Sequence, residues 1–516
     1  MIQQLLTRRA ALTGLAGTGV LTRRPAAAAG GPGPAVDRDT VVIALERDFS
    51  NLDALVAITS DSNRYVLQIY DTLYGFDARG QLVPRLATTV AVSEDGLSYT
   101  YTLRPGVRFH TGGVLSSDDV RFSLDHILDP ASKSTRRPQL APVVASIETP
   151  DPATVIFRLK QRDGAFPNKI AGYLPVVPRD YGSSQPAASF FARSPVSLGP
   201  YRVRSFRMDY LELERFEDYW GEKPQVKRLV FKVIPEAGSR TAALLTGEVD
   251  LVAGVPFQDL ATLRETPGLF AVANPLGSPL LIHIDADKPG LPTFKREVRR
   301  ALSYGMDTQA IIDTVLHGAG EKLAGMISRY YPYGSDPALQ PYPYDPDKAR
   351  QLLQNAGYPD GFEARLIIGS DHPIEIAEAA AGYWAQIGVR IRIQRYDYAT
   401  WAQLNNTHKA GPLGVMQMAN AIFDPIHPVG GVFARAGTWC DYDNPEVEAL
   451  IQKVIPVSGP GERGALFREI NRRLHDDAAA IFISELHDIF AARQGLMWAP
   501  RPGTGYLNFR QIGWTA

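Results

Sequence analysis

The chain has 516 residues, of which 45% are hydrophobic and 21% charged, with a net charge of −1. That length exceeds one simple core and predicts two or three domains of ordinary globular composition. The charge balance gives no sign of the basic patch that nucleic-acid binding needs. The single cysteine, Cys440, excludes an intramolecular disulfide and a cysteine-built metal site.

Residues 1–29 read as a targeting segment. Arg8 and Arg9 precede a mildly apolar run, Ala10 to Leu21, and Arg23 and Arg24 follow it. Ala26 to Ala29 then offer small-residue cleavage sites. The run is too short to span a bilayer comfortably. Thr7-Arg8-Arg9 with Leu12 resembles a twin-arginine export signal. Cleavage near residue 30 removes four Arg and no acid, leaving 50 basic against 55 acidic residues and a net charge of −5. The expectation is a soluble protein exported to a periplasm, with an uncleaved anchor or a disordered tail as the alternative.

Thr40 to Leu45 (TVVIAL) is a β-branched apolar run and predicts the first strand. In the stretch 71–128, Leu97, Tyr99, Tyr101 and Leu103 alternate with Ser98, Thr100, Thr102 and Arg104, the period of a half-buried strand. Asp95-Gly96 before it is a turn signal and predicts a hairpin. Ser116 and Asp119 have capping-box spacing at the start of SSDDVRFSL, with Asp in place of the usual Glu. VVASIETPDPATVIFRLK predicts a further hairpin turning at Pro150-Asp151-Pro152. Residues 163 to 197, rich in Pro, Ser, Ala and Gly, read as a long surface excursion.

Strands are then expected around Leu211 and Leu213 and over Arg228 to Ile234. Ser239 to Leu245 predicts a helix stopped by Thr246-Gly247, and Glu248 to Leu251 a strand start. PLLIHIDAD predicts a strand, and KREVRRALSYGMDTQAIIDTVLHGAG a helical stretch with Val298, Ala301, Leu302 and Met306 on one face. A helix from Asp345-Pro346 to Leu353, a strand over Phe362 to Ile368, a helix over Ile374 to Ile387 and a strand over Val389 to Arg395 follow. This alternation argues for an α/β lobe. The last helix lies near Gly464 to Asp477, and AAIFISEL (Ala479 to Leu486) is a buried strand.

Several pieces, by their order and spacing, resemble the bacterial extracellular solute-binding proteins of family 5, the peptide/nickel/opine type. They are YDTLYGFD, LVPRLA, SEDGLSYTYTLRPGVRFHTGG, SSDDVRFSL, Gly199-Pro200-Tyr201, RTAALLTGEVDLV, and Val298 to Leu302 with Asp307. The resemblance covers roughly residues 40 to 512. It implies an α/β, two-lobed periplasmic-binding-protein fold (class C, large type) with a hinge and an interlobe ligand cleft. Lobe I would be 30–275, joined again by 483–516, and lobe II 276–482. The hinge crossings would lie near 272 to 285 and 480 to 488. The implied function is capture of a small solute for an ABC importer, with separate permease and ATPase chains as partners and the binding protein a monomer. No cofactor and no metal are implied.

No phosphate loop, zinc helix, nucleophile elbow or Gly-rich calcium loop occurs, and the nine His are not spaced as a metal pair on a helix turn. An exported hydrolase would need a nucleophile and base that the sequence does not offer. A chemoreceptor or chaperone accessory on the same fold stays open.

The resemblance places candidate cleft residues at Thr59, Ser60 and Asp61; at Arg136 and Arg137; at Tyr396 and Trp401; and at Asn420, Ala421, Asp424, His427 and Trp439. Arg136 and Arg137 suit a carboxylate or phosphate clamp, or else solvated surface charge. Tyr396 and Trp401 suit a stacking wall or a core cluster. Trp439 lines the cleft or packs on it. In peptide-binding relatives an acid a few positions before an Asp-Pro or Glu-Pro pair holds the peptide's α-ammonium. Matching on Asp424-Pro425 puts Ala421 there, which favours a non-standard ligand such as an opine, a sugar conjugate or a metal chelate over a free peptide.

Overall fold

The computed structural model describes residues 37–47, 49, 51–56, 62–180 and 195–515. The predicted signal and the candidates Thr59, Ser60 and Asp61 lie outside these residues.

Two large apolar cores organise the chain. The first gathers side chains from Val41 to Ala253 and again from Phe490 to Ile512, together with Ile422. The second runs from Leu280 to Ile483. One eleven-stranded sheet passes through both. From one edge to the other its strands are Arg390–Tyr396, Glu363–Gly369, Leu413–Gln417, Leu269–Ile284, Ala480–Arg493, Leu251–Ala253, Thr40–Leu45, Arg228–Val233, Tyr210–Arg215 and Tyr201–Arg207, with Gly320–Lys322 paired beside Ala480–Arg493. A separate four-stranded antiparallel sheet holds Ala87–Val92, Ser98–Leu103, Thr154–Leu159 and Val144–Asp151.

Local sequence explains these elements. Tyr99, Tyr101 and Leu103 point into the first core, as their alternation predicts. Gly96 takes a φ of 68° in the turn before them, where a side chain would be strained. The carboxylate of Asp119 accepts from the Ser116 backbone N–H at 2.8 Å and from its hydroxyl at 2.9 Å, closing the cap of Ser117–Leu128.

The differences from expectation are physical. Residues 163 to 197 are not one surface excursion: Phe166–Tyr173 is a helix that buries Phe166, Ile170 and Tyr173. Its Pro167 sits in the first turn, where a missing N–H is tolerated. The helical stretch after Lys295 is two helices, Arg296–Tyr304 and Thr308–Thr314, because Asp307 starts the second by accepting from Ala310 N–H at 3.0 Å.

The segments near 272 to 285 and 480 to 488, expected as hinge crossings, lie in two strands that run well beyond the predicted PLLIHIDAD and AAIFISEL. Leu269–Ile284 and Ala480–Arg493 pair antiparallel along their length, each passing from one core to the other. Their register breaks at two places: where Pro275 faces His487 and Pro279 faces Glu485, and again where Leu280 faces Ser484 and Leu281 faces Phe482. At the first, three residues, Leu276, Gly277 and Ser278, oppose Leu486 alone. The first of these breaks is a bulge, a local bend in the ladder. Gly277 has a φ of 61°, and a Cβ on it would lie 2.6 Å from the Gly503 carbonyl oxygen. Ser278 N–H donates to the buried Glu485 carboxylate at 2.7 Å across the bend.

Candidate functional site

The segment Asn420–Pro425 follows the strand Leu413–Gln417, whose core is the second one. Yet Ile422 is buried in the first core, and Ala421 and Ile426 pack against it. The loop is therefore a knob set into the opposite lobe. Asn420 forms its base, donating from Nδ2 to the Asp424 carbonyl at 3.0 Å and accepting from Ile422 N–H at 3.1 Å. Phe423 adopts a φ of 52°, unusual for an aromatic residue and a mark of a backbone held by its surroundings.

The helix Phe166–Tyr173 receives this knob. Asn168 Nδ2 donates to the Ile422 carbonyl at 2.8 Å, and the Tyr173 hydroxyl meets His427 Nδ1 at 2.9 Å. Burial pushes His427 down to about 4, so its imidazole is neutral near pH 7. Phe423 packs on Phe76 with ring centroids 4.9 Å apart. Gly172 lies so close that a Cβ there would sit 2.7 Å from the Ala421 carbonyl oxygen. Gly172→Val is therefore expected to leave the unfolding midpoint of the unliganded protein nearly unchanged while weakening ligand binding by at least about tenfold, since the added methyls wedge the lobes apart. Calorimetry on both proteins checks this; equal affinities would show that the contact does not govern closure.

Arg136 is fully buried at this junction. Its Nη1 donates to the Gly172 carbonyl at 2.8 Å, its guanidinium lies 5.5 Å from the Tyr173 ring centre, and its Nε has no partner. Among the described residues no carboxylate lies within ion-pairing distance of it. Burial lowers it to about 10. Arg501 is its counterpart: Nε and Nη2 are buried without partners, and the guanidinium lies 4.2 Å over Phe423. Burial lowers it to about 10 as well. The half-buried Tyr506 phenol feels both guanidinium charges. Asp53 is a buried acid whose charge acts on Arg136, and Glu485 is a second buried acid, near Tyr331. Desolvation pushes Glu485 up to about 7, and its Oε2 has no partner.

The remaining candidates are placed as follows. Asp424 is wholly buried: both of its oxygens accept from Arg463 Nη2 at 2.8 Å, and Oδ2 also accepts from the Tyr333 hydroxyl at 2.6 Å. Arg137 donates from Nε to the Leu128 carbonyl at 2.9 Å on the first lobe. Tyr396 bonds Gln394, Trp401 stacks on Tyr398 at 5.8 Å, and Trp439 donates to Asn406 at 2.7 Å. These contacts all stay within the second lobe. Arg136, Asn420, Ala421 and His427 thus come together, with Asp424 as the support beneath them.

Arg501, Tyr506, Tyr173 and Glu485 were not among the sequence candidates. Glu485 did carry a signal, being a carboxylate inside the apolar run AAIFISEL. Tyr173 was hidden in the segment read as an excursion.

The family described as bacterial extracellular solute-binding proteins, family 5 Middle, matches residues 81–433. The chain is 32% identical over 373 residues to the glutathione-binding protein GsiB of Salmonella typhimurium, covering 70% of this chain and 71% of that one. Among solved structures it is similar to the periplasmic binding protein DppA of Helicobacter pylori in complex with the peptide STSA, with a TM-score of 0.82 and 23% identity, covering 92% of this chain and 98% of that one. It is also similar to AgaA of A. tumefaciens R10 in complex with agropinic acid, with a TM-score of 0.78 and 26% identity over 91% and 96% of the two chains. The order of motifs, the two-lobed fold and these matches agree: the chain belongs to family 5 of the bacterial extracellular solute-binding proteins, the binding components of ABC importers.

Proposed function

We propose that this protein captures a small carboxylate-bearing solute in the periplasm and delivers it to a membrane permease. Arg136 carries the reading. A guanidinium buried beside the interlobe contact, with an N–H left over and no ion pair among the described residues, is costly until an anion arrives. Arg501 adds a second largely desolvated guanidinium, with Asp77 as the acid acting on it, and Tyr506 lies in the field of both. Ala421 offers no carboxylate to an α-ammonium group, which leaves Glu485 as the buried acid for a positive end. The ligand class that fits is glutathione-like or opine-like, in keeping with what GsiB and AgaA bind, rather than an ordinary free peptide.

Further parts of the reading rest on sequence. Export would use the twin-arginine-type signal 1–29. Lobe I would span 30–275 with 483–516, and lobe II 276–482, the protein acting as a monomer and not as an enzyme. Tyr396, Trp401 and Trp439 would contribute an aromatic flank from the second lobe, and Thr59 to Asp61 a polar one from the first.

The test is a thermal-shift screen of residues 30–516 after removal of co-purified ligand. The panel holds glutathione, opines and short peptides, each beside its amidated form. A ligand at about 1,000 times its dissociation constant adds roughly 4 kcal/mol and moves the midpoint by degrees. Shifts that disappear on amidation support the carboxylate reading. Equal shifts for acid and amide overturn it.

A further inference from the structure

A second polar cluster lies away from the cleft, past the end of the strand Leu269–Ile284. Asp285 follows that strand directly. Asp287 is exposed two residues on, and Asp441 is buried on the loop before the helix Pro445–Val454. The backbone locks the three together, with Ala286 N–H donating to the Asp441 carbonyl at 2.8 Å and Asp285 N–H to the Pro412 carbonyl at 3.0 Å. One carboxylate oxygen from each residue lies within 4.8 Å of the others.

Three carboxylates at such spacing repel one another, so their counter-charges matter. Lys288 Nζ lies 2.5 Å from Asp285 Oδ2, and His408 Nδ1 lies 2.8 Å from Asp441 Oδ1. Both cationic side chains are nearly half exposed, so they can turn to solvent without leaving a buried charge. They do not complete the cluster. Asp285 is 1% exposed, yet its Oδ1 has no donor. His283 is 2% exposed, and neither imidazole nitrogen makes a hydrogen bond, although Nε2 lies 3.9 Å from Asp441 Oδ2. Buried polar atoms left without partners are rare and ask for a missing one.

We propose that Asp285, Asp287 and Asp441 bind a divalent cation of the hard, oxygen-seeking calcium class. Carboxylate oxygens are the ligands such ions take, and a half-exposed site leaves room for water to complete the shell. The ion displaces Lys288 from Asp285 and fixes the loop bearing Trp439 and Cys440 to the end of the crossing strand. It is a resident ion rather than cargo, since these residues belong to the second lobe alone.

Terbium luminescence tests this on the mature chain after chelator treatment. Trp439, two residues from Asp441, serves as the sensitising ring. The expected result is saturable emission at one ion per chain, competed by calcium and weakened at least tenfold in Asp287→Asn and Asp441→Asn. Asp287 is exposed, so its variant keeps the fold and the comparison stays interpretable. No saturable emission, or undiminished emission in Asp287→Asn, overturns the proposal.

Discussion

Arg463→Ala is expected to destabilise the protein by about 3–5 kcal/mol, because it strands a buried carboxylate. Arg463 and Asp424 have side chains 1% and 0% exposed, and their bond is two-pronged. The same guanidinium donates to the Val454 and Val457 carbonyls at 2.8 and 2.6 Å, so its loss frees several acceptors at once. Asp424 in turn accepts from Ile426 N–H at 2.9 Å and so shapes the turn that carries Ala421 to Phe423 into the first lobe. Ligand affinity should therefore fall together with stability. Urea unfolding followed by far-UV dichroism measures the first effect. The double variant Arg463→Met with Asp424→Leu should recover much of the loss, because neither charge is then left alone. An unchanged midpoint in Arg463→Ala would refute the assignment of this pair as the support of the knob.

Arg136→Met should separate binding from stability in the opposite way. The replacement keeps most of the volume and removes a buried charge that has no ion pair among the described residues. The unliganded protein should be as stable as the wild type or slightly more so. Affinity for the carboxylate ligand found by the thermal-shift screen should drop at least about 100-fold, the effect of deleting one member of a buried charge pair, roughly 2–5 kcal/mol. Calorimetry and unfolding on the same preparation read both quantities. Retained affinity, or a clear loss of unliganded stability, would mean that Arg136 serves the fold and not the ligand.

The fold was legible where local chemistry decides it. The Tyr99 and Tyr101 alternation, the Ser116 cap and the Asp345-Pro346 helix start each depend on neighbours within a few residues. The bulge at Leu276 to Ser278 was not legible, because a register break is a property of two strands about 200 residues apart, and the sequence displays them one at a time. The site divides in the same manner. Arg136, Asn420, Ala421 and His427 sit in segments that the family resemblance singles out. Arg501 and Tyr506 lie in the C-terminal return, where nothing local distinguishes a cleft residue from a surface one. Asp424 reads as an acid available for a ligand until Arg463, on a distant helix, is seen to occupy both of its oxygens.

The pairing of Leu269–Ile284 with Ala480–Arg493 is interrupted between Pro275 and Pro279 and between Leu280 and Leu281, so a second lobe moving as one arm would pivot there. From Pro279 to Ile284 the arm extends roughly 17 Å at about 3.3 Å per residue. A twist of about 10° at the bend then swings the far end by about 3 Å, more than separates a hydrogen bond from no contact. Leverage of this kind would let a few backbone torsions, changed slightly on solute binding, reshape the outer face offered to a membrane permease.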